Sequence, residues 1–240
     1  MAPGQKPFYI ALGVIVVGGV VFLASRIMGN HDVSIPVNPA ITVADTSGFR
    51  GYILGSASAP VEITEFGDFQ CPQCANFDQV QLPDVKSRLI DPGKARLRFR
   101  DFPLDGVHSH TRIASHAAAC ADDQKHFWDV KEAMFRRQND WAFSSNPMSV
   151  FTDIVKTAGL DVDAWNACMK SAKFAGRIQA SQNEGNAVGV SSTPSFVIGG
   201  RIHENMGSDE MVKLVDSIIA AAAAPAPAAN GAKKKPAGGL

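Results

Sequence analysis

The chain has 240 residues, enough for one well-buried domain of ordinary size with appendages. Lys plus Arg and Asp plus Glu balance at 23 each, so the formal net charge is zero and nothing in it argues for a nucleic-acid partner. Four cysteines allow two disulfides, a usage that an exported protein can keep and a cytosolic one rarely does.

Residues 8–24 are apolar and uncharged, bounded by Lys6 and Arg26. At 1.5 Å per residue they reach about 25 Å as a helix, close to a bilayer core. A cleaved signal peptide has a shorter apolar core, about 7–15 residues, and a small-x-small cleavage site. The exit Phe22-Leu23-Ala24-Ser25 offers only poor sites. The reading is a retained anchor in 1–26, transmembrane over 8–25, with cleavage as the alternative. Lys6 and the free amine face a single Arg26, a weak bias toward the N-terminus inside. The domain then lies outside the cytoplasm, on the periplasmic or extracellular side. Residues 27–50 carry Pro, Gly, Asn and Ser without a period and read as a tether. Ile41-Thr42-Val43 offers short strand content.

Residues 61–66 form a strand. Its alternation puts Glu65 on the side of Val61 and Ile63. An edge-strand acid turned to water and a buried acid both fit that pattern. A helix-like run follows over 75–90, with Phe77, Val80, Leu82 and Val85 as a partial apolar stripe and Pro83 predicted to kink it. Asp91-Pro92-Gly93 is a turn signal. In strand 95–102, Leu97 and Phe99 alternate with Arg96, Arg98 and Arg100, which read as a solvated face. From 108 to 187 the pattern is helical, with helices at 113–121, 127–137, 149–158, 164–169 and 174–188 and with Asp161, Asp163 and Ser171 as caps. His108, His110 and His116 invite a metal reading, but their spacing is not a tight ligand pattern. Residues 189–201 read as loop, strand, tight turn and strand, with Pro194 just before the first strand. A last helix covers 209–221. The Ala/Pro/Lys stretch 222–240 cannot build a core and reads as disordered.

Chemistry concentrates at Cys71-Pro72-Gln73-Cys74, on a strand-to-helix junction. A thiol at a helix N-terminus meets unpaired backbone N–H groups and the positive end of the helix dipole, which favour the nucleophilic thiolate. Pro72 suits the first helical turn, where its missing N–H costs nothing. Half of a zinc site and a purely structural bond remain alternatives. Cys120 and Cys168 stand alone, so no second Cys-x-x-Cys completes a zinc site. The two fall in the helical block and read as a structural disulfide, with two free buried cysteines as the other option.

Leu54-Gly55-Ser56-Ala57-Ser58-Ala59-Pro60 runs into Val61-Glu62-Ile63-Thr64-Glu65-Phe66-Gly67-Asp68-Phe69-Gln70 and the Cys-x-x-Cys. With Arg100-Asp101-Phe102-Pro103-Leu104 and Thr193-Pro194-Ser195-Phe196, the sequence resembles the membrane-anchored bacterial branch of DsbA-like thiol:disulfide oxidoreductases. The resemblance covers about 50–220. It implies an α/β thioredoxin-like fold over 51–221 with a helical insertion at about 106–188. It further implies an exposed redox-active Cys71 and a buried Cys74, with Pro72 and Gln73 tuning them. Glu65 would be a buried acid beneath the dithiol, and Thr193 and cis Pro194 a substrate-facing loop. The activity implied is disulfide exchange in exported cysteine-containing proteins, most readily as an oxidase, with isomerase, reductase or a metal- or client-binding module as alternatives. Reoxidation would fall to a membrane quinone-linked partner of the DsbB or vitamin K epoxide reductase-like type. No cofactor and no resident metal are expected. Gln73 departs from the Cys-Pro-His-Cys pattern and brings no cation, which predicts a less oxidising disulfide.

Overall fold

The computed structural model describes residues 33–224 together with 13 and 16–19. The chain divides into two compact units, Met1–Ser34 and Ile35–Leu240. In the first, the described positions 13 and 16–19 are helical and exposed. The rest of the expected span 8–25 lies outside the described residues, as does the tail from 225 onward. No helix among the described residues is long and apolar enough to cross a membrane.

The second unit is built on a five-stranded sheet of order β1-β3-β2-β4-β5. The strands are β1 (Tyr52–Leu54), β2 (Val61–Gly67), β3 (Ala95–Asp101), β4 (Ser195–Ile198) and β5 (Arg201–Glu204). β2 and β3 run parallel, with Glu65 beside Phe99; β1 is antiparallel to β3 and β4 to β2. A parallel pair needs a crossover, and α1 (72–90) supplies it. β4 and β5 form a hairpin through Gly199 and Gly200, both with positive φ, the geometry of the tight turns that match strand twist. β1 is an addition to the predicted strands; three residues give too short a run to register as a pattern.

α1 is α-helical over Pro72–Asn76 and Leu82–Val85 and π-helical over Phe77–Gln81 and Lys86–Ile90. The first π turn passes the Leu82 N–H to the Phe77 carbonyl just ahead of Pro83, which has no N–H to give. The ladder thus widens around the proline instead of breaking. One sheet face packs Ile63, Leu97, Phe196 and Ile198 against Val85 and Leu89 of α1 and Met211 and Val215 of α8 (Ser208–Ala223). α8 continues two residues past its predicted end at 221, so positions 222 and 223, expected in the tail, are helical.

The opposite face is covered as well, by α7 (Ala175–Val188). Arg98 and Arg100 of β3, expected in solvent, lie beneath it. Arg98 and Arg100 both bind Glu184 at 2.6 Å, and the Arg100 side chain is 3% exposed. Arg96 binds Glu62 at 2.8 Å. The alternating pattern is real, but its polar side faces a second layer. Gly185 permits the approach, since a Cβ there would stand 2.6 Å from the Phe102 ring.

Between β3 and β4 the insertion holds α2 (Thr111–Asp122), α3 (Phe127–Arg136), α4 (Gln138–Trp141), α5 (Pro147–Thr157), α6 (Val162–Ser171) and α7. α4 was not foreseen. Asp161 caps α6 by accepting the Ala164 N–H at 3.0 Å. Asp163 instead lies in the first turn of α6, and Ser171 donates to the Cys168 carbonyl at its end. His116 is buried; its Nε2 accepts the Phe174 N–H at the start of α7, and burial holds its pKa at about 4. It serves as a neutral core histidine.

The segment read as a tether over 27–50 packs on the domain from Ile35 onward. Ile35 and Phe49 are buried. The Arg177 guanidinium sits 4.0 Å over the Phe49 ring, and the Asn38 N–H donates to Gln179. Ile41-Thr42-Val43 leads into turns, not a strand.

Cys120 and Cys168 are joined in a disulfide that ties α2 to α6 across 48 residues. Loop closure of that length restricts the unfolded chain by about 4 kcal/mol in the entropy model. Replacing both cysteines by Ala should lower unfolding stability by about 2–4 kcal/mol, measured by urea denaturation without reductant, with the Cys71 thiolate titration unchanged.

Candidate active site

β2 ends at Gly67, and Asp68-Phe69-Gln70 carries the chain to Cys71, the residue that opens α1. The connection is clamped from several sides. Asp68 is fully buried, and its carboxylate accepts the N–H groups of Gln70 (2.7 Å) and Leu104 (2.8 Å) and meets Nδ1 of His108 at 2.8 Å. The Gln70 amide donates to the Ala142 carbonyl and accepts from the His110 N–H, each at 2.6 Å. Gln138 of α4 donates to the carbonyls of Phe69 (2.8 Å) and Cys71 (3.0 Å). The insertion therefore fixes the backbone that presents the cysteines.

Cys71 has extended backbone angles and Pro72 occupies the first turn, so the free N–H groups of the helix point at the Cys71 side chain. Cys71 and Cys74 are both free thiols. Cys71 keeps 7% of its surface, less than the exposed position expected, and Cys74 keeps none. The Cys71 thiol donates to the Thr193 carbonyl at 3.3 Å. The Cys74 sulfur accepts the Asp68 N–H at 3.4 Å.

The two sulfurs ionise at opposite ends of the scale. The Cys71 pKa is lowered from 9.0 to about 5, first by the Cys74 thiol donating to it. Burial opposes this; Thr193 and the N–H groups of Cys74 and Gln73 assist. The Thr193 hydroxyl is buried with no other partner, so it can turn to the thiolate. Burial pushes Cys74 well above 9.0, and the charges of Cys71 and Glu65 push the same way.

Glu65 is fully buried and neither carboxyl oxygen has a hydrogen-bond partner. Burial lifts its pKa to about 7, with Lys131 opposing and Asp78 adding. Lys131 is also fully buried, 3.9 Å from Glu65 and paired closely with Asp78, over the rings of Phe99 and Phe135. Burial works against its charge, and the carboxylates of Asp78 and Glu65 more than offset it.

Opposite the dithiol, the Thr193–Pro194 peptide is cis and leads into β4. Pro194 and Gln73 line a small hollow of about 90 Å³ with Asn76, Phe77, Gln81 and Met206. A larger hollow of about 550 Å³ opens along Phe102, Leu104, Val107, Asn186 and Val190.

The structure thus brings together Cys71, Cys74, Glu65, Pro72, Gln73, Thr193 and Pro194. It does not gather the three histidines. His108 binds Asp68, His110 meets the Ser144 carbonyl and His116 is in the insertion core. Among the described residues, His116, Cys120 and Cys168 form a cluster of metal-ligand types, but both its sulfurs are in the disulfide. Sequence reasoning assigned no role to Asp68, Asp78, Lys131 and Gln138, and weighed His108 only as a metal ligand. Asp78 lies one turn beyond Cys74 on α1 and could have been found by helical spacing; the others carry no local signal.

Comparison with known proteins agrees with this geometry. A protein-family model described as Thioredoxin matches residues 49–217. The probable disulfide bond formation protein D of Bacillus anthracis is 28% identical over 167 residues, covering 68% of this chain and 76% of that one. The Na(+)/H(+) antiporter NhaA 3 of Salinispora tropica is 29% identical over 175 residues, 73% of this chain; the chain spans only 24% of that antiporter's length. The crystal structure of Chlamydia trachomatis DsbA superposes with a TM-score of 0.68 at 18% identity, covering 78% of this chain and all of that one. A pair of free cysteines at the head of α1, a cis-proline loop facing it, a helical insertion after β3 and a family match over most of the chain lead to one assignment: the chain belongs to the thioredoxin family, with the fold of DsbA structures.

Proposed function

We propose that the chain is a thiol:disulfide oxidoreductase that works outside the cytoplasm and inserts disulfides into exported proteins. The observation that carries this reading is the split between the sulfurs, one held as thiolate and the other as thiol one helical turn deeper. Similarity to disulfide bond formation protein D of Bacillus anthracis supports it.

In the oxidised enzyme, a substrate thiolate attacks the Cys71 sulfur. The Cys71–Cys74 bond breaks, a mixed disulfide forms and Cys74 leaves with the electron pair. Cys74 is a poor thiolate in its buried setting, so it takes up a proton, and Glu65 retains one to about pH 7. A second substrate thiolate then attacks the substrate sulfur of the mixed disulfide and releases Cys71 as a thiolate. The substrate loses two electrons, and the enzyme disulfide gains them and becomes the dithiol. Thr193 and Pro194 flank the attacked sulfur and leave backbone for an extended substrate to lie along. Reoxidation fits a membrane quinone-linked partner of the DsbB or vitamin K epoxide reductase-like type, and the apolar run 8–25 fits an anchor that keeps the domain near it.

The thiolate supports the oxidising direction. Whatever stabilises Cys71 as an anion stabilises the reduced enzyme and makes its disulfide a stronger oxidant. A pKa of about 5 falls between the roughly 3.5 of a strong oxidase and the roughly 7 of a reducing thioredoxin. That intermediate position agrees with neutral Gln73 between the cysteines.

Thiolate absorbance near 240 nm should rise with a midpoint at about pH 5 in the reduced protein and vanish in Cys71→Ala. A midpoint near the ordinary thiol value would defeat the reading. Cys74→Ala, mixed with a reduced client, should accumulate a covalent adduct through Cys71, visible on non-reducing gels. A binding module would hold the client without that bond. Glu65 keeps its proton to about pH 7 in the fold against 4.5 ordinarily, so its contribution to stability is full below 4.5 and lost as pH rises through 7. Glu65→Gln should therefore flatten that fall, gaining stability relative to the parent at pH 8. It should also slow reduction of the enzyme disulfide by about 100-fold, by stopped-flow tryptophan fluorescence.

A further inference from the structure

No cation stands between Cys71 and Cys74. Lys131 lies on the Cys74 side. His108 comes from elsewhere in the chain, and its imidazole feels the charge of Cys71. It sits on the loop between β3 and α2, and its Nδ1 is 2.8 Å from Oδ2 of Asp68. Asp68 also touches both cysteines through its backbone: its carbonyl accepts the Cys71 N–H at 3.1 Å and its N–H donates to the Cys74 sulfur at 3.4 Å. A single buried residue thus couples the imidazole to the dithiol. The His108 side chain keeps 18% of its surface, enough to exchange protons with water.

We propose that His108, oriented by Asp68, is a positioning cation for the Cys71 thiolate, supplying from the β3–α2 loop the charge that Gln73 does not. The inference rests on the dithiol chemistry proposed above. It is supported by the forces on the imidazole. The Asp68 hydrogen bond raises its pKa first, partial burial opposes, and the charges of Asp68 and Cys71 raise it further. Coupling of this kind is reciprocal: a thiolate that favours the imidazolium is favoured by it to the same extent. The other ionisable groups of the loop have their own partners. Asp105 is bound by Arg112, and His110 meets the Ser144 carbonyl.

Two consequences distinguish this role from mere packing. Forming the Cys71–Cys74 disulfide removes the thiolate, so His108 should bind its proton less tightly in the oxidised protein. Losing the imidazolium should make the thiolate less stable and the disulfide less oxidising. In the glutathione equilibrium, enzyme disulfide plus two glutathione thiols gives enzyme dithiol plus glutathione disulfide. Removing the His108 charge should shift it toward enzyme disulfide by about three- to tenfold.

The decisive measurement is an NMR pH titration of the His108 ring in the full chain in detergent micelles, in the reduced and disulfide forms. The His108→Gln spectrum serves for assignment. The midpoint should be higher in the reduced form. In His108→Gln, the Cys71 absorbance midpoint should move up and the glutathione equilibrium should shift as stated. Equal His108 midpoints in the two redox forms, or an unmoved Cys71 midpoint in the variant, would overturn the proposal. Either result with a parent Cys71 midpoint still near 5 leaves the exchange reading standing. A parent midpoint near 9 removes both. If His108→Gln does not fold, the two titrations of the parent protein decide alone.

Discussion

Two sulfurs one helical turn apart sit in different solvents, and the rest of the site follows from that difference. Cys71 faces the free N–H groups at the mouth of α1, the Cys74 thiol and Thr193. Cys74 has lost all contact with water and keeps one N–H, that of Asp68. The hydrogen bond between them works in both directions, lowering one pKa and raising the other. One sulfur is thereby available for attack while the other is held in reserve as a thiol. A symmetric pair, equally wet or equally dry, would lose that order.

Maintaining the asymmetry requires a stiff floor, and the helical insertion provides much of it. Gln138, the Ala142 carbonyl and the His110 N–H hold the segment before Cys71. Lys131 projects from α3 of the insertion beneath Cys74. The insertion is thus part of the redox site and does more than cover the sheet. Its own coherence comes from the α2–α6 disulfide and from two buried tryptophans, whose indole N–H groups bond the Ala117 and Met134 carbonyls.

Buried charge is the unusual expense of this core. Glu65, Lys131 and Asp78 share one apolar pocket, and Glu65 has no hydrogen-bond partner. Desolvation of an acid without a hydrogen-bond partner is costly and outweighs the nearby Lys131, so the group keeps its proton instead. Asp101, also fully buried, is raised to about 6 by burial, with Ser115, Arg100 and Arg177 opposing. Groups that hold protons near neutral pH are poised to exchange them, and only Glu65 of the two lies beside a sulfur that must gain and lose one.

Much of this was legible in the residues alone. The Cys-x-x-Cys at a strand-to-helix junction, the strands at 61–66 and 95–102, the β4–β5 hairpin and most of the helices are written in local pattern, because turn chemistry and hydrophobic period act over a few residues. Pattern alone left the Glu65 environment and the isomer at Pro194 open, and the family resemblance supplied those expectations; the Cys120–Cys168 disulfide was the main reading of two lone cysteines in the helical block. Tertiary structure decided what local pattern cannot encode. Arg98 and Arg100 of β3 look solvated by alternation, yet α7, some eighty residues later, covers them. The segment before Phe49 looks like a tether, yet Arg177 and Gln179 bind it. Asp68, His108, Gln138 and Lys131 come to the dithiol from separate elements. Burial and charge depend on distance in space, and neighbours in space here are strangers in sequence.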